Sequence, residues 1–170
     1  LPASLGLAIP AMSGGADSPN LTPAKSAMNM YRATEIVCPF TDSASMLMLE
    51  NEMAKRWEAN NMQDGAICTA VRGTESGITT WLNTRNSPHV HTIATTNDCT
   101  NPWETAAMAA AVIESMAATD PAVPHTDATL RGYVGPRTGE HCEMEQLNNL
   151  LVAGASPLRA NQDGTGNLLR

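Results

Sequence analysis

Three polar residues occupy positions where α/β proteins often place catalytic groups. Asp42, Arg72 and Asp98 each follow an apolar run that reads as a strand. Ligand-binding and catalytic groups gather at the carboxyl ends of the strands in such sheets. These side chains could therefore act as an acid, a base or an anion-binding group. Asp42 also lies between Thr41 and Ser43, and Thr, Asp and Ser are all residue types that cap helices. For Asp42 we therefore favour a role as a helix cap over a catalytic role.

A second group of residues has side chains that bind metals. His89 and His91 are spaced to share one face of a strand, and Cys99 or the cluster His141-Cys142-Glu143 could complete a ligand set. A structural zinc site needs four ligands of these types, and two histidines do not make a site. Because His89 directly follows Pro88 in a polar loop, we favour a hydrogen-bonded structural histidine and expect no bound metal.

The four cysteines, Cys38, Cys68, Cys99 and Cys142, lie far apart and contain no CxxC pair. A cysteine nucleophile needs a histidine base within hydrogen-bond reach and a third group that orients the base. No cysteine has a recognisable nucleophile sequence around it. Cys38 and Cys68 lie inside apolar strands, where a thiol is usually inert packing. We expect four reduced thiols in a reducing compartment.

Phosphate-binding and cofactor-binding motifs are missing from the sequence. Neither GxxxxGK[ST] nor GxGxxG occurs, and Ser13-Gly14-Gly15 has no clear strand-to-helix context. The most unusual polar stretch is Arg85-Asn86-Ser87-Pro88-His89, which we interpret as a rigid loop that orders the entry to the next strand. The sequence therefore predicts no catalytic, cofactor-binding or metal-ligating residues.

Composition excludes several classes of partner. The chain has 170 residues with 17 acidic and 10 basic side chains, a formal net charge of -7. Nucleic-acid affinity depends on clustered positive charge, so we expect no DNA or RNA ligand. No segment approaches the roughly 20 continuous apolar residues that span a bilayer, and no signal peptide is evident. We expect a soluble protein made in the cytoplasm.

Strand-like and helix-like segments alternate along most of the chain. Strands are predicted at residues 35–39, 66–71, 90–94 and 130–134, and helices at residues 23–31, 42–57, 75–82, 101–118 and 143–153. Alternation of this kind predicts an α/β fold with a mostly parallel central sheet flanked by helices. The fourth helix is apolar on nearly all sides, which predicts that it is enclosed by the fold.

The two ends of the chain differ from this middle part. Residues 157–161 and 167–170 flank Gln162-Asp163-Gly164-Thr165-Gly166, which predicts a C-terminal β-hairpin. Residues 1–24 are rich in Gly, Pro and Ser and read as a connector with a strand at residues 5–9. A compact domain is predicted at residues 25–170. The absence of an initial Met and the strand that stops at Arg170 suggest a piece of a longer chain.

Taken in order, a series of short motifs resembles one known family, the tail sheath proteins of Mu-like phages. They are Pro39-Phe40-Thr41-Asp42, Ala70-Val71-Arg72-Gly73, Asn83-Thr84-Arg85-Asn86-Ser87-Pro88-His89, Pro102-Trp103-Glu104, Thr119-Asp120-Pro121-Ala122, Leu130-Arg131-Gly132, Glu145, Asn149-Leu150-Leu151, Gly154 and Asp163-Gly164-Thr165. Each motif is common alone, but their order extends over about 135 residues. The first thirty or so residues match less clearly.

The resemblance implies a structural subunit of a contractile tail sheath. Such a subunit surrounds the tail tube, and contraction drives the tube through the host envelope for DNA delivery. Its implied partners are neighbouring sheath subunits, the tail tube protein and the baseplate, with no nucleic acid, membrane or small-molecule substrate. Its implied location is the virion, after assembly in the host cytoplasm. The chain would form the central domain, with a subtilisin-like topology.

That topology raises the alternative of an enzyme. A subtilisin-type site needs a serine at a helix start, with an aspartate and a histidine earlier in the chain. Asp42 is suitably placed, but the late helix begins with Glu140-His141-Cys142-Glu143, so the nucleophile is missing. Similarity of fold does not carry activity, and we expect a non-enzyme. A hydrolase-like module or a small-molecule-binding module remains the alternative.

Overall fold

The computed structural model describes residues 18–29, 31–85, 87–137 and 139–169. Within these ranges the chain forms five helices and six strands. In chain order they are α1 (Thr22–Met28), β1 (Glu35–Cys38), α2 (Ser43–Trp57), β2 (Ala66–Arg72), α3 (Glu75–Asn83), β3 (Val90–Thr95), α4 (Pro102–Thr119), β4 (Ala128–Leu130), α5 (Met144–Val152), β5 (Ser156–Ala160) and β6 (Gly166–Leu168). The α/β class predicted from the sequence is confirmed.

All six strands form one sheet in the order β1-β2-β3-β5-β6-β4. Strand pairs β1–β2, β2–β3 and β3–β5 are parallel, whereas β6 pairs antiparallel with both β5 and β4. The sheet is therefore mixed, and the prediction of a mostly parallel sheet was wrong. The cause is the hairpin after β5, which reverses the chain so that β6 runs antiparallel to its neighbours. The subtilisin-like topology is not confirmed.

The C-terminal hairpin is confirmed, with β5 and β6 joined by a turn at the predicted residues. Asp163 accepts hydrogen bonds from Thr165 through Oδ1, including one from the main-chain nitrogen at 3.0 Å, and so closes the turn. The predicted fourth strand at residues 130–134 is shorter and earlier, as Ala128–Leu130. The predicted strand at residues 5–9 lies outside the described residues. The domain boundary at residue 25 remains a prediction.

Side chains of β2 alternate between two separate cores. Cys68 and Ala70 pack against α4, together with Ile93 of β3. Ile67 faces the other side, where it meets α2, and Val71 meets α3 and α5 there. Helix α4 thus covers one face of the sheet, while α2, α3 and α5 cover the other. This two-sided burial explains why β2 is a continuous apolar run.

Helix α4 is not enclosed, so the prediction made from its apolar composition was wrong. Thr105, Ala109 and Ile113 are buried against the sheet, but Ala107 and Ala111 on the outer side are exposed. Alanine is small and favours helix, so an alanine-rich helix looks apolar all round even when one side faces solvent. None of the helices within the described residues has the length and hydropathy needed to cross a bilayer.

The order of the parallel strands limits where a ligand could bind. From β1 through β2 and β3 to β5 the strand order advances in one direction; α2, α3 and α5 lie on one face of the sheet, whereas α4, which follows β3, lies on the other. Open α/β sheets bind their ligands in the crevice where the strand order reverses. The order of these four strands does not reverse.

Gly166 of β6 provides a test of how the sheet is packed. A Cβ atom at this position would lie only 2.3 Å from Tyr133 Cδ1, whereas at Gly73 the nearest atom, Ile78 Cγ1, would be 3.7 Å away. Because overpacking forces backbone shifts, we expect Gly166→Ala to lower the free energy of unfolding by roughly 1–3 kcal/mol. We expect Gly73→Ala to leave it unchanged or slightly raised. Equal midpoints for the two variants in urea unfolding would contradict the close contact with Tyr133.

Candidate functional site

Arg72 and Asp98, two of the three strand-end residues, are brought together at the end of β2. The guanidinium of Arg72 donates from Nη2 to the carbonyl oxygen of Asp98 at 2.7 Å and also to the carbonyl oxygen of Thr100. The carboxylate of Asp98 is buried and accepts a hydrogen bond from the Tyr133 hydroxyl. Arg72 therefore holds the main chain of the β3–α4 loop, while the Asp98 side chain reaches the segment after β4.

Thr100 adds a second link to the same segment. The main-chain nitrogen of Val134 donates to Thr100 Oγ1 at 2.7 Å, and Oγ1 in turn donates to the Val134 carbonyl oxygen at 3.2 Å. We refer to Arg72, Asp98, Thr100, Tyr133 and Val134 as the strand-end polar cluster. Its contacts connect β2, the loop after β3 and the segment after β4.

Burial shifts the ionisation of the cluster. The pKa of Asp98 is raised because burial outweighs the opposing effects of the Tyr133 hydrogen bond and the Arg72 charge. The pKa of Tyr133 is also raised, first by burial and then by Asp98. Perturbed pKa values occur both at catalytic sites and in structural networks. Here the side chains act on one another and on main-chain groups, which is the arrangement of a structural network.

Asp42, the third strand-end residue, caps α2. Its Oδ2 accepts a hydrogen bond from the main-chain nitrogen of Ser45 at 2.9 Å. That hydrogen bond holds the pKa of Asp42 below its usual value. The helix-cap interpretation is confirmed, and the carboxylate that a hydrolase would need is used by the helix.

His89 and His91 have different neighbours. Strand β3 begins at Val90, so His89 lies before it, with its ring centroid 6.4 Å from that of Trp57. The His91 Nε2 atom lies 2.8 Å from Ser156 Oγ on β5. Across the described ranges, no three His, Cys, Asp or Glu residues are grouped in a way that could hold a metal ion. That the protein binds no metal remains a prediction.

Contacts around Arg85 and His89 support the rigid-loop interpretation of that stretch. Arg85 Nη1 bonds Glu50 Oε1 at 3.0 Å, and its guanidinium lies 5.4 Å from the Trp81 ring centroid. The His89 carbonyl oxygen accepts from the main-chain nitrogen of Ile67 at 2.7 Å, next to the start of β2. Asn86 lies outside the described residues.

The cysteines are free thiols in four different settings. Cys38 and Cys68 are buried, and burial raises the pKa of Cys68 to about 12. Such a thiol is a poor nucleophile at neutral pH, so the packing role predicted for these two is supported. Cys99 is exposed, and Cys142 Sγ lies 2.8 Å from Thr96 Oγ1. Their redox state in solution remains a prediction.

An open pocket of about 440 Å³ lies at the carboxyl end of the sheet, between the starts of α3 and α5. Helix starts can bind anions through free main-chain N–H groups. Here Thr74 Oγ1 accepts from Gly77 N at 3.2 Å, and Glu143 forms a capping box with Gln146. Both helix starts thus already have their own acceptors, and the pocket does not favour a small anionic ligand.

Glu35 is an unusual residue that the sequence analysis missed. Its Oε1 atom is buried, and it has no hydrogen-bond partner among the described residues. Burial, reinforced by the nearby charge of Glu114 on α4, raises the pKa of Glu35 to about 7. In the sequence Glu35 is only the polar start of an apolar strand. Its pairing with Glu114 depends on α4 crossing β1, which no local pattern reveals.

Comparison with known proteins gives a consistent result. A family model described as the phage tail sheath protein central domain matches residues 14–169. The Mu-like prophage FluMu tail sheath protein of Haemophilus influenzae is 29% identical over 163 residues, covering 94% of this chain and 33% of that protein. The chain therefore spans about a third of the length of this curated relative.

A solved structure shares the fold. The crystal structure of the sheath tail protein from Desulfitobacterium hafniense superposes with a TM-score of 0.62. The superposition covers 92% of this chain and 36% of that chain, at 14% sequence identity. At this level of identity the likeness concerns the fold alone.

Because Tyr133 belongs to the strand-end polar cluster, we expect that removing its hydroxyl group lowers the stability of the protein. In Tyr133→Phe the buried Asp98 carboxylate loses its donor, and an unsatisfied buried group costs about 1–3 kcal/mol. We expect this loss in the free energy of unfolding. Tyr31→Phe is the matched control, because Tyr31 is 74% exposed and should change stability by less than about 0.5 kcal/mol. If both variants unfold at the same denaturant concentration, the cluster does not stabilise the fold.

Glu35 predicts a dependence of stability on pH. Its pKa in the folded protein is about 7, against a usual value of 4.5, so the folded state holds this proton more tightly than the unfolded state. The stabilisation that comes from this tighter proton binding is complete below pH 4.5 and is lost as pH rises through 7. Glu35→Gln should remove this decline in chemical denaturation measured across the range. Glu140→Gln, at an exposed carboxylate, should leave the decline intact.

Proposed function

Because the chain belongs to the phage tail sheath protein family, we propose that it is the central domain of a structural subunit of a contractile tail sheath. The observation that carries the proposal is the match of the family model to residues 14–169. In this role the subunit surrounds a tail tube, and contraction of the sheath drives the tube through the host envelope for DNA delivery. We assign the sheath domain to residues 25–170, with residues 1–24 as a connector.

The use of the candidate catalytic residues supports a structural role. Asp42 caps α2, while Arg72 and Asp98 hold loops together. Each of these side chains thus has a role in building the fold. The sequence supplies no serine in a subtilisin-type setting. A non-catalytic subunit is therefore favoured over the hydrolase-like and small-molecule-binding alternatives.

The partners follow from the same proposal. The subunit would contact neighbouring sheath subunits in a helical array, the tail tube protein on the inside and the baseplate at one end. It would be found in the tail of the virion after assembly in the host cytoplasm. The net charge of -7 fits a protein-protein role better than direct contact with DNA.

Electron microscopy of the full-length protein that contains this chain tests the proposal. We expect purified protein to form tubes or rings at high concentration. The 170-residue chain alone should stay monomeric or weakly associated in light scattering, since like net charges disfavour close approach at low salt. Peptidase and esterase substrates should turn over at background rates. Full-length protein that stays monomeric and hydrolyses such substrates, with the activity lost in a folded Asp42→Ala variant, would favour the enzyme instead.

A further inference from the structure

Strand β1 is an edge of the sheet, and within the described ranges it pairs only with β2. Thr34 O accepts from Ala66 N at 2.9 Å, so the even spacing of a parallel ladder turns the main-chain groups of Ile36 toward β2. The main-chain groups of Glu35 and Val37 then face the free side. Such groups can pair with another strand, and natural proteins protect these edges, for example by covering them.

An apolar groove of about 140 Å³ lies beside this edge, between α1 and β1. Lys25 is the one charged residue in its lining, and that side chain is already paired with Glu52 at 3.1 Å. The apolar lining residues come from the segment of α1, from the segment of β1 and from α2: Leu21, Ala24, Met28, residues 36–40 and Leu49. The groove therefore suits an apolar segment.

Helix α1 lacks the packing that a short helix requires. It has seven residues, and none of them is buried by the described parts of the chain. A helix this short is not stable in water by itself and depends on tertiary contacts. Leu21, just before the helix, and Ala24 and Met28 within it form an apolar stripe that lines the groove. A further apolar segment in the groove would complete this packing.

Helix α1 is placed like the crossing helices that follow it. The Ser18 side chain lies near the Asp42 carboxylate, at the carboxyl end of β1, and helps to lower the pKa of Asp42. After the helix, Asn29 O accepts from Arg56 Nη2 at 3.0 Å, close to the last residue of α2. Helix α1 thus runs antiparallel to β1, on the face of the sheet that α2 covers.

The position of α1 limits where a preceding strand could lie. Parallel strands joined by a helix are almost always connected with the same, right-handed, sense. The connections β1-α2-β2 and β2-α3-β3 advance in one direction along the sheet, with both helices on one face. Because α1 lies on that face and β2 occupies one side of β1, a strand before α1 would lie on the free side of β1 and parallel to it.

One apolar run precedes α1 in the sequence. Leu5-Gly6-Leu7-Ala8-Ile9 is about as long as β1 and is followed by Pro10. Side chains alternate along a strand, so the large ones at positions 5, 7 and 9 would share one side and the small ones at positions 6 and 8 the other. The large side matches the apolar groove. The connection from Ile9 to Ser18 can span up to roughly 30 Å, which is enough to reach the start of α1 from an adjacent strand.

We propose that residues 5–9 of the same chain form a further parallel strand on the free side of β1, with their large side chains in the groove beneath α1. The inference does not depend on the proposed function, and it extends the sheet into the segment otherwise assigned as a connector. Main-chain hydrogen bonds to β1 hold such a strand, and the groove selects its side chains. A segment of the same chain has a high effective concentration, which favours it over a separate partner.

Hydrogen exchange of single amides in the 170-residue chain tests the pairing. We expect the amide hydrogens of Glu35 and Val37 to exchange as slowly as that of Ile36. Leu7→Asp places a charge in the apolar groove, so exchange at Val37 should become at least about tenfold faster, with a smaller change at Ile36. Leu1→Asp makes the same substitution outside the run and is the matched control. It should leave both rates unchanged.

Cross-linking identifies which copy supplies the strand. Val37 is 38% exposed and pairs with Cys68, which packs against α4, so the Val37 side chain lies on the α4 side of the sheet. Ala8 would lie on the same side, opposite the groove. In a chain whose more accessible thiols are replaced, by Cys99→Ser and Cys142→Ser, a short bis-maleimide should link Ala8→Cys to Val37→Cys within one monomer.

The control is Ala8→Cys with Thr129→Cys, which should give no internal link, because Thr129 is exposed on β4 at the opposite edge of the sheet. Dimers linked through Ala8→Cys and Val37→Cys, without internal links, would mean that a second copy supplies the strand. Rapid exchange at Glu35 and Val37 in the unsubstituted chain would mean that the edge is free. Unchanged exchange in Leu7→Asp would mean that another segment covers it. Each of these results overturns the proposal.

Discussion

The hydrogen bond from the Tyr133 hydroxyl to the buried Asp98 carboxylate joins the parallel and antiparallel parts of the sheet. Asp98 lies in the loop after β3, and Tyr133 follows β4 at the far edge of the sheet. The Tyr133 ring fills the space above Gly166 on β6, the strand between β5 and β4. One side chain thus holds the last strands in place by packing and by a polar contact.

The same interaction shows what the polar residues at the strand ends do for the fold. A carboxylate buried without a donor is costly, so Tyr133 has to supply one, and Arg72 has to hold the adjacent carbonyl groups. Positions that an enzyme would keep open for a substrate are used here for stability. Some large apolar side chains stay exposed, among them Trp57, Met62 and Trp103, and protein interfaces favour aromatic and methionine side chains.

Local features of the fold could be predicted from the sequence because local interactions determine them. Thr41-Asp42-Ser43 predicts the start of α2, since the Asp42 carboxylate needs only the main chain of the next turn. The turn around Asp163 and Gly164 predicts the hairpin for the same reason. The pairing of β4 with β6, the exposed side of α4 and the meeting of Glu35 with Glu114 involve residues far apart in the chain. No periodicity or motif contains that information.

By itself the sequence determined the α/β class, the hairpin, the Asp42 cap and the family, because each depends on residues close in the chain or on the order of short motifs. The tertiary structure alone decided that the sheet is mixed. It also decided that Asp98 is held by Tyr133. Such features arise when packing brings distant segments together, since a buried polar group must find its partner wherever the fold places one.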